Sequence, residues 1–216
     1  MKVMSSGEEN KSVVLKDKRE VHFDDDKFTL TIVSDGKKLF NLSLNYPEYG
    51  YGGGSIYLSP SDSYLLFAHY SGQSEESFTL FRITDKLEIV YESYLSGEAA
   101  DYWFSEDEKL LIQGLPSFCG PMEYDDIEEN WAEKDENGDI FYAFGQINVL
   151  DIEKKKFSEH KIRVYFSDLW RALSEEREPF LRPKMENANS VKISMPWGDE
   201  KLNFPLEDTI SFGKKK

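Results

Sequence analysis

Two stretches of the chain share one short grammar. The first is Leu58-Ser59-Pro60-Ser61-Asp62-Ser63-Tyr64-Leu65-Leu66-Phe67, the second Phe104-Ser105-Glu106-Asp107-Glu108-Lys109-Leu110-Leu111-Ile112. Each is an apolar residue, a serine, a turn containing Asp, and a fresh apolar run. Self-similarity at about 45 residues is a mark of stacked β units, because a single unit cannot bury its own apolar face. The first copy reads as four strands, Ser55 to Leu58, Tyr64 to Tyr70, Phe78 to Ile83 and Leu87 to Tyr91, and four antiparallel strands make one propeller blade. The second reads as Tyr102 to Phe104, Lys109 to Gln113, Ile140 to Leu150 and Lys156 to Tyr165, interrupted by an acidic loop insertion over 118–139.

These repeats resemble the blades of WD40-like and TolB-type β-propellers, which read as an apolar residue, Ser-Pro-Asp-Gly and an apolar strand. The resemblance covers about half of the chain, with Glu106 where those blades carry Pro and Glu108 where they carry Gly. The Gly-His and Trp-Asp signatures of WD40 repeats do not occur. The resemblance implies an all-β fold of antiparallel β-blades, a partial or small β-propeller-like domain spanning 1–216. At about 40 to 45 residues per blade, 216 residues hold three blades or slightly more, fewer than a usual propeller. The fan is therefore either open and capped or completed by self-association over its open sheet edges. A twisted β-sandwich built from the same hairpins is the alternative.

Around the repeats, residues 1–12 are polar and aperiodic and read as a flexible tail. Phe28 to Val33 and Lys38 to Leu44 alternate around Ser34-Asp35-Gly36-Lys37, and Asp-Gly between such runs signals a hairpin. Phe166, Leu169, Trp170 and Leu173, with Ser167 to cap and Pro179 to stop, predict one short C-terminal helix. Val191 to Met195 and Lys201 to Phe204, around Pro196-Trp197-Gly198-Asp199, predict a closing hairpin.

The formal charge is −15, and the region from Glu98 to Asp139 supplies most of it, with 14 acidic residues against two lysines. A field of that sign repels nucleic acid and anionic membrane surfaces and steers basic proteins inward. One cysteine, Cys119, excludes a disulfide framework and a multi-cysteine zinc site, and no apolar stretch is long enough for a signal or a membrane span, so a cytoplasmic location is expected. No cofactor is expected either. Gly50-Tyr51-Gly52-Gly53-Gly54 is followed by a strand pattern rather than a helix, which deprives a dinucleotide of its helix dipole. The segment from Glu133 to Ile140 imitates the start of a calcium loop, but Phe144 stands where the bidentate carboxylate belongs, so an Asn137-Gly138 turn is the better reading.

No catalytic motif occurs, and the chain reads as a non-catalytic intracellular protein-binding module, in a specific form an immunity-type antagonist of a basic protein. Its expected binding residues are Tyr46, Tyr49 and Tyr51 of the glycine-rich loop with Glu123, Asp125, Asp126, Glu128 and Glu129 of the insertion. Rigid aromatics anchor interfaces and the acidic field speeds approach. The alternative is a hydrolase at the blade rim, using His69 or a carboxylate pair drawn from Glu75, Glu76 and the Glu106-Asp107-Glu108 turn.

Overall fold

The computed structural model describes residues 11–44, 53–70, 76–94, 101–116, 132–134, 140–165, 182–187, 190–195 and 198–212. Every regular element among them is a strand, and the architecture is all-β, in several antiparallel sheets none of which closes on itself. The predicted helix after Phe166 lies outside the described residues.

The chain divides into two compact units, residues 1–109 with 152–155, and residues 110–151 with 156–216. The first holds two four-stranded meanders. One runs β1 (Ser12–Val14), β2 (Glu20–Asp24), β3 (Thr29–Ser34), β4 (Lys37–Ser43); the other runs β5 (Gly54–Leu58), β6 (Tyr64–Tyr70), β7 (Glu76–Ile83), β8 (Leu87–Tyr94). The second meander has the four strands read from the first repeat. The first meander holds the expected Asp-Gly hairpin, with Ser34 opposite Lys37 and positive φ at both Asp35 and Gly36, as a type I′ turn requires. Its β1 and β2 were not read from the sequence: Ser12, taken with the tail, pairs with His22.

Both faces of the second meander are buried. Leu65, Phe67, Phe81 and Ile56 join Val21, Phe23, Phe28, Leu30 and Ile32 of the first meander in one core. On the opposite face Phe78 and Tyr57 meet Tyr102 of β9 (Asp101–Phe104). A two-layer sandwich leaves one face of each sheet to solvent, whereas a stacked blade is covered on both, which sets the sandwich aside here. The outer strands β4 and β8 each carry a bulge, beside Leu39 and Ile89, which are about half exposed. Bulges on free edges deter pairing with other chains.

In the second unit, β10 (Leu110–Pro116), β11 (Ala132–Lys134), β12 (Ile140–Asp151), β13 (Lys156–Tyr165) and β17 (Thr209–Phe212) belong to a six-stranded sheet of path β17-β13-β12-β10-β9 with β11 on β12. The short β17 runs parallel to β13, a pairing with no local sequence signal. Within the expected insertion, Ala132–Lys134 form a strand against β12, with Lys134 opposite Ile140. The remaining strands β14 (Arg182–Asn187), β15 (Ser190–Met195) and β16 (Gly198–Asn203) form a three-stranded sheet. Met195 pairs with Gly198, so in the closing hairpin Gly198-Asp199 already begin the second strand.

The repeated turns share one geometry. Asp62 N–H donates to Ser59 O at 3.0 Å and Glu108 N–H to Ser105 O at 2.9 Å, and both Asp62 and Glu108 sit at positive φ. A third copy, hidden in the sequence, follows β1: Lys18 N–H donates to Leu15 O at 3.0 Å with Lys18 at φ 71°. In the last turn Asp107 accepts from Ser105 Oγ and from Lys109 N–H, and these bonds hold its carboxyl below the usual carboxylate range. A lowered folded pKa gives stability that is present above the unfolded value and lost as pH falls through the folded one. Acid titration should therefore loosen this turn below about pH 4, and Asp107→Asn should flatten that part of the stability profile by lowering the neutral plateau.

Candidate functional site

The two ends of the first unit's meanders differ. At one end the connections are tight, at Leu15–Arg19, Ser34–Lys37, Ser59–Ser63 and Thr84–Lys86. At the other the chain passes from β4 to β5 through residues 44–53 and from β6 to β7 through 71–75. Long connections on a rigid sheet are where binding groups collect. Tyr46, Tyr49 and Tyr51 belong to the first of these connections and lie outside the described residues, as do Glu123, Asp125, Asp126, Glu128 and Glu129. What is described is the platform that holds the ends of the tyrosine-bearing segment.

Strand ends from both meanders meet there. Lys11, entering β1, donates its Nζ to Gly54 O at 3.0 Å, pairs with Asp25 Oδ2 at 2.5 Å, and lies 5.1 Å over the Phe23 ring. Asp25 is half-exposed, yet its Oδ1 is enclosed, with no hydrogen-bond partner among the described residues. Next to it Lys27 hydrogen-bonds Asp24, which holds the Asp24 carboxyl below its ordinary value and raises the Lys27 ammonium. Phe28 closes the turn, buried and at φ 49°. A bulky aromatic in the left-handed region is an outlier that costs on the order of 1–3 kcal/mol, sustained only where packing demands it. The demand is visible: its ring meets Phe23 at 5.4 Å, Phe67 at 5.8 Å and His69 at 6.0 Å. Phe28 O also accepts the Leu44 amide, so this strained residue anchors the start of the tyrosine segment.

His69 stacks on Phe67 at 5.0 Å between ring centroids and its backbone pairs with Gly54. It thus packs beside the start of β5. His160, in the second unit, is also a buried structural residue, placed between Glu207 O at 2.8 Å and Ser158 Oγ at 3.1 Å. His22 is surface-exposed beside Glu20.

Of the carboxylates in the hydrolase reading, Glu75 lies outside the described residues. Glu76 pairs with Tyr70 at one end of the seven-residue β6, whereas Glu108 binds Ser61 beyond its other end, a separation on the order of 20 Å. Glycosidase pairs stand within about 10 Å. Asp107 and Glu108 are moreover engaged in holding turns. Among the described residues no group of three or more His, Cys, Asp or Glu is arranged to hold a metal, and no helix is long and apolar enough to cross a membrane. Glu133, first position of the calcium-like segment, pairs in β11 with Phe141.

No protein-family model and no curated protein matches the chain. Among solved structures, a selenomethionine-substituted virginiamycin B lyase from Staphylococcus aureus is similar over 99% of this chain and 93% of its own, at 12% identity and a TM-score of 0.22. A likeness at that level carries no argument about activity.

Proposed function

We propose that the protein is a non-catalytic, intracellular binding module whose blade-like meanders, of the propeller type, present the connections at one end to a basic protein. The observation that carries this reading is the division of labour between the two ends: tight, hydrogen-bonded turns at one, and at the other a braced platform of Lys11, Asp25, Phe28 and His69 at the strand ends that flank, in sequence, the segment bearing Tyr46, Tyr49 and Tyr51. Three tyrosines in one glycine-rich connection offer large, stiff contact area at small entropic cost. The acidic segment with Glu123, Asp125, Asp126, Glu128 and Glu129 supplies the field that steers a cationic partner, as an immunity-type antagonist would need.

The test uses the full chain on a sensor surface against the partner it captures from its native lysate. Raising salt from low to several times physiological strength should slow association by about tenfold or more, and reversing the five acidic charges should do the same at low salt. Replacing the three tyrosines by alanine should instead speed dissociation, by about two orders of magnitude if they act as anchors. Association indifferent to both salt and charge reversal would end the electrostatic part of the proposal. Turnover of a small substrate by the purified chain, lost on changing His69, would end the non-catalytic part.

A further inference from the structure

The three turns that open after Leu15, Ser59 and Ser105 are joined to one another by side chains. Lys16 N–H donates to Asp62 Oδ2 at 2.5 Å, and Lys16 Nζ reaches Pro60 O at 2.6 Å. One step further along, the Glu108 carboxylate accepts both the backbone N–H of Ser61 and, at 2.5 Å, its hydroxyl. In each step the carboxylate of the later turn's left-handed residue accepts a backbone N–H from the turn before it.

The chemistry explains the choice of residues. Asp62 is short and reaches the second residue of the preceding turn, Lys16. Its counterpart in the next step would be Pro60, which has no N–H to give. Glu108 is one methylene longer and takes the following residue, Ser61, which offers two donors. Glycine would be the least strained occupant of a left-handed position, and a carboxylate there costs about 1 kcal/mol of backbone strain unless it does something.

We infer that Asp62 and Glu108 are latches between successive β units: each turn is fastened to the one before it by the carboxylate standing where a relaxed turn would have glycine. The latches keep the tight-turn end in register, so that the positions of the opposite strand ends are set by the stack and not by the long connections themselves.

The latch and a mere turn residue make opposite predictions for glycine. If Asp62 and Glu108 only fill left-handed positions, Asp62→Gly and Glu108→Gly relieve strain and leave the folded-to-unfolded ratio unchanged or higher. As latches, each glycine variant should lower that ratio about tenfold in urea titrations of the whole chain, while Asp62→Asn and Glu108→Gln, which keep an acceptor oxygen, should recover most of it. Amide exchange locates the effect: Lys16 should lose protection in Asp62→Gly, and Ser61 in Glu108→Gly. Glycine variants that are as stable as the parent, or amides that keep their protection in them, would overturn the inference.

Discussion

Phe67→Ala is expected to lower the free energy of unfolding by about 3–5 kcal/mol, a large share of the roughly 5–15 kcal/mol a domain has. Phe67 is 1% exposed, and its ring sits 4.7 Å from Phe23 and 5.0 Å from His69 between centroids. It belongs to the core shared by both meanders of the first unit, where Leu30 and Ile32 face Ile56, Leu65 and Phe81. Truncation therefore opens a cavity between two sheets, neither of which can close it without moving as a whole, the condition under which cavity costs are highest. Phe40, on outer strand β4, only borders the same core, and Phe40→Ala should cost less than half as much. Urea denaturation of the two variants measures the contrast. Equal losses, or a loss below about 1 kcal/mol for Phe67, would mean that the meanders do not share a continuous core.

The elements that could be read from the residues are those whose information is local. For β5 to β8 the strands alternate or run apolar, and each turn carries its own chemistry, so the order and the bounds within a few residues follow without knowledge of neighbours. Strand β2 carried a usable signal, since Val21 and Phe23 alternate and are both buried, but Asp24-Asp25-Asp26 and the polar flank before it dilute the pattern. The third repeat stayed hidden for a similar reason. Leu15 stands where the others have Ser, and Lys18 occupies the left-handed position without the usual preference of its side chain for it. Nothing in Thr209–Phe212 announces a parallel partner 40-odd positions earlier, because parallel pairing is a tertiary fact.

The candidate site was legible only at its margins. The sequence marks the tyrosine-bearing segment as a loop by its glycines, and the structure locates the strand ends that hold it. The platform itself was missed, since Lys11 was read as tail and Asp25 drew no reading. Their pairing depends on how the β1–β2 hairpin packs against β5, which no spacing along the chain encodes. Likewise residue types alone cannot report that Glu76 and Glu108 lie at opposite ends of one strand.

Gly54→Val should be the most damaging single change at the platform, and Gly54→Ala a graded version of it. A Cβ at residue 54 would lie 2.6 Å from Cε2 of Phe67 and 3.0 Å from Ala68 O, closer than side-chain carbons approach either group. Phe67 cannot swing aside, being held by Phe23, Phe28 and His69, and Ala68 O belongs to the paired strand β6. Something must shift, and overpacking of this kind costs about 1–3 kcal/mol for one methyl group. The same shift moves Gly54 O away from Lys11 Nζ, loosening the contact that ties β1 to the start of β5. Gly54→Ala should thus weaken both the stability of the first unit and any binding through the adjoining segment, and valine should do so further. A double-mutant cycle identifies the obstacle. Phe67→Leu removes the ring that the added methyl group would strike, so Gly54→Ala should cost much less in the Phe67→Leu background than in the parent, a non-additivity of about 1 kcal/mol or more. Strictly additive losses would show that the ring is not what keeps residue 54 a glycine, and would leave Ala68 O as the obstacle.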